Sequence, residues 1–119
     1  MNIIGLYIYS PNKKLLQSHN PEYNYPVDSI IQSININGKN YAVFEHDIMA
    51  FHVLVKSDKI FLMVTVLSYP KRLGMQCLEE MAGQFISSGK KTIDLKKICN
   101  KYNQIEKLDA ISNVKAKVE

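Results

Sequence analysis

The residues of this chain best suited to chemistry are three histidines, His19, His46 and His52, and two cysteines, Cys77 and Cys99. His46 and His52 are close in sequence, and Glu45 and Asp47 flank the first. Two imidazoles and a carboxylate make a common zinc ligand set. The chain between them, however, reads as a bend followed by an apolar strand. A histidine inside such a strand is expected to be a hydrogen-bonded core residue, so no metal site is expected. Neither cysteine has a CxxC partner, and both fall on apolar faces of expected helices. They read as buried free thiols. The five glycines are scattered, so no glycine-rich loop cradles a phosphate. No Gly-x-Ser-x-Gly elbow occurs. Glu79–Glu80 reads as the solvated side of a helix. Tyr7, Tyr9, Tyr23, Tyr25 and Tyr41 are accounted for as core or rim residues. No catalytic residue and no cofactor emerge, so the chain is expected to bind or regulate and not to be an enzyme.

The formal net charge is +4. The basic residues include the pairs Lys13–Lys14, Lys71–Arg72, Lys90–Lys91 and Lys96–Lys97, and Arg72 is the only arginine. Nucleic-acid binding favours arginine forks and interleaved aromatics, so no nucleic-acid partner is expected. The lysine pairs read as solvated turns and helix faces. No stretch of about 18 apolar residues occurs, so no transmembrane helix is expected. The first residues, Met1–Asn2–Ile3–Ile4–Gly5, lack a basic region and read as a strand, not a signal peptide.

These side chains are positioned by an architecture set in the middle of the chain. Two apolar runs, Ile48–Val55 and Ile60–Leu67, are separated only by Lys56–Ser57–Asp58–Lys59, which suits a β-hairpin. In the second run only Thr65 is polar. Near-continuous apolarity implies strands buried on both faces, so helices must cover both sides. Ile3–Tyr9 and Lys14–His19 are expected to form a first antiparallel pair. A short helix follows over Asp28–Ile36, although Ile30, Ile34 and Ile36 also fit a strand. Asn40–Glu45 is a third strand, bent or broken at His46–Asp47. After Pro70 the residues Leu73, Cys77, Leu78, Met81, Ala82 and Phe85 fall on one helical stripe, ended by Ser87–Ser88–Gly89. Thr92 is a plausible N-cap for a last helix with the stripe Leu95, Ile98, Cys99, Tyr102 and Ile105. The expected fold is α+β. Its five-stranded antiparallel sheet is sandwiched by helices, in the order β-β-α-β-β-β-α-α.

The stretch from Glu45 to Met81, EHDIMAFHVLVKSDKIFLMVTVLSYPKRLGMQCLEEM, resembles the core of the longin domain of R-SNAREs (vesicle SNAREs). The matching features are Phe51–His52, the hairpin and apolar strand, the Tyr69–Pro70–Lys71–Arg72 turn, and Leu78–Glu79–Glu80. The resemblance implies a profilin-like longin fold over residues 1–105. It also implies a linker and the start of a SNARE coiled coil over 106–119, with the remaining heptads and membrane anchor beyond. In that coil Ile111, Lys115 and Val118 would be the first inward-facing layers, with Lys115 a departure from the usual glutamine. The family's groove lies between the first helix and the third strand. Ile30, Ile31, Ile34, Tyr41, Val43 and Phe44 match those places, while the first helix is shorter than usual.

The implied function is regulation of vesicle traffic and membrane fusion on the cytosolic face of endomembranes (ER, Golgi, vesicles or endosomes). The implied partners are the chain's own SNARE motif, Q-SNAREs, and coat or tethering proteins. The alternative is a longin-type subunit without a SNARE motif: an adaptor small chain, a tethering subunit or a free-standing archaeal protein. A small-ligand-binding domain is the third reading.

Overall fold

The computed structural model describes residues 2–20, 29, 31–32, 41–87, 89 and 92–105. Five strands form one sheet: β1 (Ile3–Tyr9), β2 (Leu15–His19), β3 (Tyr41–His46), β4 (Met49–Lys56) and β5 (Lys59–Val66). Helix α1 (Lys71–Ser87) follows, and then α2 over residues 95–105. Every neighbouring pair is antiparallel, and the strand order is β2-β1-β5-β4-β3. Between β2 and β3, residues 29, 31 and 32 are helical. The rest of the helix expected over Asp28–Ile36 lies outside the described residues, as do 106–119.

The order explains the composition of each strand. The nearly unbroken apolar strands β1, β5 and β4 occupy the three inner positions, where both faces are covered. The more polar β2 and β3 are the edges. One face packs on α1 and α2 through Leu6, Ile8, Leu54, Phe61 and Met63, together with the helix stripes. The other face gathers Tyr7, Tyr9, Phe51, Val53 and Leu62 with Ile31. Ile31 is fully buried in the second cluster, on the face away from α1 and α2.

Local chemistry sets the ends of these elements. Ser57 and Asp58 have φ of 51° and 61°, so both central residues of the β4–β5 turn are left-handed, as a two-residue type I′ hairpin requires. The bend expected at His46–Asp47 is a second tight turn, with Asp47 at φ 60° and the ladder resuming at His46↔Met49. A register shift between Ile3 and Gly5 adds one residue to β1, so that Leu6 and Ile8 face the helices while Tyr7 and Tyr9 face Ile31. Gly89, at φ 62°, follows the end of α1 in the left-handed conformation that commonly stops a helix.

The cap of α2 differs from expectation. Helix α2 begins at residue 95, and Asp94 Oδ1 accepts a hydrogen bond from the Lys97 N–H at 3.0 Å. Asp94 is therefore the N-cap, bonding the third helical residue, and Thr92 precedes it. Asp94→Ala is expected to lower stability by about 1 kcal/mol, while Thr92→Ala changes it by no more than a few tenths. Urea unfolding of the two variants checks this, and equal losses would return the cap to Thr92.

Candidate binding surface

The edge strand β3 and the face it shares with Ile31 form the surface on which the sequence-derived site residues can be placed. Strand side chains alternate between faces, so consecutive residues of β3 cannot share one. Phe44 pairs with Phe51 and packs, half-buried, against the cluster that contains Ile31. Tyr41 and Val43 pair with Leu54 and His52 on the opposite, helix-covered face. The structure thus places Ile31 and Phe44 on the same face of the sheet, Ile31 toward the β1–β2 turn that its neighbour Gln32 bonds, and separates both from Tyr41 and Val43. Ile30 and Ile34 lie outside the described residues, as do the coil positions Ile111, Lys115 and Val118.

Behind β3 sits a polar cluster centred on His52, which is fully buried together with Thr65. The Thr65 hydroxyl donates to the Val66 carbonyl at 2.9 Å, so its oxygen accepts from His52 Nε2 at 2.9 Å. His52 is therefore the Nε2–H tautomer. Its Nδ1 faces the Tyr41 hydroxyl oxygen at 3.4 Å, and that hydroxyl donates to the Lys71 carbonyl at 3.1 Å. The Tyr69 ring meets the imidazole edge-on, with centroids 6.2 Å apart. Burial, helped by the Lys71 ammonium, lowers the His52 pKa from 6.5 to about 4. This is a neutral imidazole that ties β3, β5 and the start of α1 together, as its place in an apolar strand implies. His46 pairs with Met49 on the other face, its ring 6.5 Å from Phe51, so the two histidines cannot share a metal ion. Among the described residues no three of His, Cys, Asp and Glu converge on one point.

Cys77 and Cys99 are both free and buried. Burial pushes the Cys77 thiol up, and Cys99 and Glu80 nearby push it further; burial alone raises Cys99. Neither is poised as a nucleophile. Glu80, expected on a solvated helix face, instead joins the helices. It accepts from Lys101 Nζ at 2.6 Å and from the Tyr102 hydroxyl at 3.0 Å, while the Tyr69 hydroxyl donates to the Tyr102 carbonyl at 3.2 Å. Burial and the Glu80 bond push the Tyr102 hydroxyl well above the usual phenol range. Position on α1 alone did not reveal this role, because Glu80's partners are on α2.

The assembled features are a five-stranded antiparallel open sheet, with the helices α1 and α2 on one face and Ile31 on the other. The family model described as a longin, regulated-SNARE-like domain matches residues 16–109. The chain belongs to the longin family. The match runs from within β2 through both helices. No curated protein gives a significant match. Longin-like domains commonly mediate protein interactions in trafficking. The candidate surface on this chain is edge strand β3, with Phe44 half-buried on one face. No described helix is long and apolar enough to cross a membrane.

Proposed function

We propose that the chain is the N-terminal regulatory longin domain of an R-SNARE, acting in vesicle traffic and membrane fusion on the cytosolic face of endomembranes. In this reading residues 1–105 form the regulatory domain and 106–119 lead into the SNARE coil. The observation that supports it most is the outer edge of β3, which no described strand pairs, with Phe44 half-buried on the face that also carries Ile31. An apolar segment laid there satisfies the free backbone groups of the edge and buries its side chains against Phe44. The occupant is the protein's own SNARE motif, held back from Q-SNAREs, or a coat or tethering partner that replaces it. Whichever binds only one of the open and closed forms biases SNARE assembly by its differential affinity. The domain works by occupancy and not by catalysis.

The test supplies an R-SNARE coiled-coil peptide, with its central arginine, to the isotopically labelled chain. Amide shifts are expected along β3, and Phe44→Ala is expected to weaken binding about tenfold. If the peptide leaves β3 unchanged and a coat or tether fragment shifts it, folding back of a SNARE motif is overturned and the reading as a longin-type subunit without a SNARE motif takes its place.

A further inference from the structure

The far edge of the sheet, strand β2, carries a surface that the β3 reading does not use. Charge is divided across the sheet. Residues 2–20 hold no carboxylate, whereas residues 41–48 of β3 and its turn hold Glu45 and Asp47 and no lysine or arginine. The Gln17 side chain fastens a second basic segment beside β2. Its amide nitrogen donates to the Ile93 carbonyl, and its oxygen accepts from the Ile93 N–H at 3.0 Å. The start of α2 therefore lies along this edge. Lys96 and Lys97, both exposed, join Lys14, also exposed, and Lys13, whose ammonium bonds the Gln32 carbonyl. Among the described residues the carboxylates on this side are Asp94, engaged as the α2 cap, and Asp58 on the neighbouring β4–β5 turn.

Two large aliphatic side chains follow Lys14 at the start of β2. Leu15 and Leu16 are 45% and 44% exposed. Tyr9 pairs with Leu15 and Ile8 with Gln17, so Leu16 is the extra residue of a bulge and has no cross-strand partner. Adjacent exposed aliphatic side chains on an edge that also carries exposed lysines, with no arginine and no exposed aromatic among the described residues of this edge, match an anionic lipid surface better than a nucleic acid. We propose that the β2 edge docks on an anionic phospholipid bilayer. Lys14, Lys96 and Lys97 meet the headgroups, and Leu15 and Leu16 enter the interface. The β3 edge, with its two carboxylates, is left turned away from the membrane and open to protein partners.

Co-sedimentation with phosphatidylcholine vesicles, with and without phosphatidylserine, tests this. The chain is expected to pellet with the serine-containing vesicles and not with phosphatidylcholine alone. Lys14→Glu with Lys96→Glu should lower partitioning at least about tenfold, since each lysine near such a surface contributes about a fivefold factor. Leu15→Ser with Leu16→Ser should lower it several-fold, most visibly at high salt, where the electrostatic part is screened. Asp47→Asn, which raises net charge at the opposite edge, should leave it within about twofold by the same short electrostatic range. Circular dichroism confirms that each variant is folded. Equal binding to neutral vesicles, no binding, or indifference to the lysine variant would overturn the proposal. So would RNA that displaces the vesicles with the same lysine dependence.

Discussion

Lowering the pH from 7 to 4 is expected to cost this domain about 3 kcal/mol through His52 alone. In the unfolded chain the imidazole takes a proton near pH 6.5. In the folded domain it stays neutral until about pH 4, because burial and the Lys71 ammonium oppose the charge. Between those values the unfolded state binds more protons, so stability falls as pH falls. Above pH 6.5 both states are neutral and His52 adds no slope. The opposition comes from burial and the Lys71 charge and not from the hydrogen bonds. Nε2 already holds its proton against Thr65, so a second must go to Nδ1. There the nearest oxygen is the Tyr41 hydroxyl at 3.4 Å, whose own proton points to the Lys71 carbonyl. Urea unfolding of the wild type and of His52→Asn from pH 7 to 4 isolates the effect, since carboxylate contributions are shared. The stability difference between the two should narrow by about 3 kcal/mol across that range. An NMR titration of the wild-type His52 ring provides a check independent of the variant, with a midpoint expected near pH 4. Parallel pH slopes and a midpoint near 6.5 would show that the imidazole is solvated.

The second large effect is a pair of substitutions in α1 with opposite signs. Gly74 and Gly83 both lie in this helix, where alanine is ordinarily preferred by about 1 kcal/mol. A Cβ on Gly83 meets nothing within 4 Å, so Gly83→Ala should stabilise by about 0.5–1 kcal/mol. A Cβ on Gly74 would stand 2.5 Å from His52 Nδ1 and 2.8 Å from Cε1. The ring has no room to retreat, because Thr65 holds its far nitrogen and Tyr69 lies against it. Overpacking of this kind costs about 1–3 kcal/mol and outweighs the helix preference, so Gly74→Ala should destabilise by about 2 kcal/mol. In a His52→Ala background the same change should lose most of its cost. Thermal or urea unfolding of the four variants decides it. If Gly74→Ala proves as stable as Gly83→Ala, α1 does not approach the sheet this closely.

The sheet and the helix stripes were legible because burial on both faces leaves a simple mark. The three inner strands are the three most continuous apolar runs, and the α1 and α2 stripes recur every three or four residues. The sheet order carried no such mark. Nothing local in Ile3–Tyr9 or Lys59–Val66 announces that they are neighbours, nor that β1 takes an extra residue near Gly5. Glu80 was hidden for the same reason, since its partners Lys101 and Tyr102 are brought to it only by the packing of α2. At β3 the period-two alternation was available: Val43 and Phe44, being consecutive, had to face opposite ways. The cap at Asp94 was also available, because an aspartate directly before the Leu95 stripe is as good a signal as the threonine upstream.

The pairing of β1 with β5 has a consequence for how the chain reaches this structure. Strands β3, β4 and β5 form a meander through two tight turns, and β1 and β2 form a hairpin, so each unit needs only local contacts. The two units join where Tyr9 meets Ile60 and Ile3 meets Thr65, which closes a loop of about fifty residues. That closure is the expected slow step of folding, because long-range pairing bears the loop entropy before any contact offsets it. Until it happens, the central strand β5 has an apolar edge with no partner. During synthesis the hairpin must therefore wait for Val66 to emerge before the sheet can close, and this interval is when the chain is most open to aggregation.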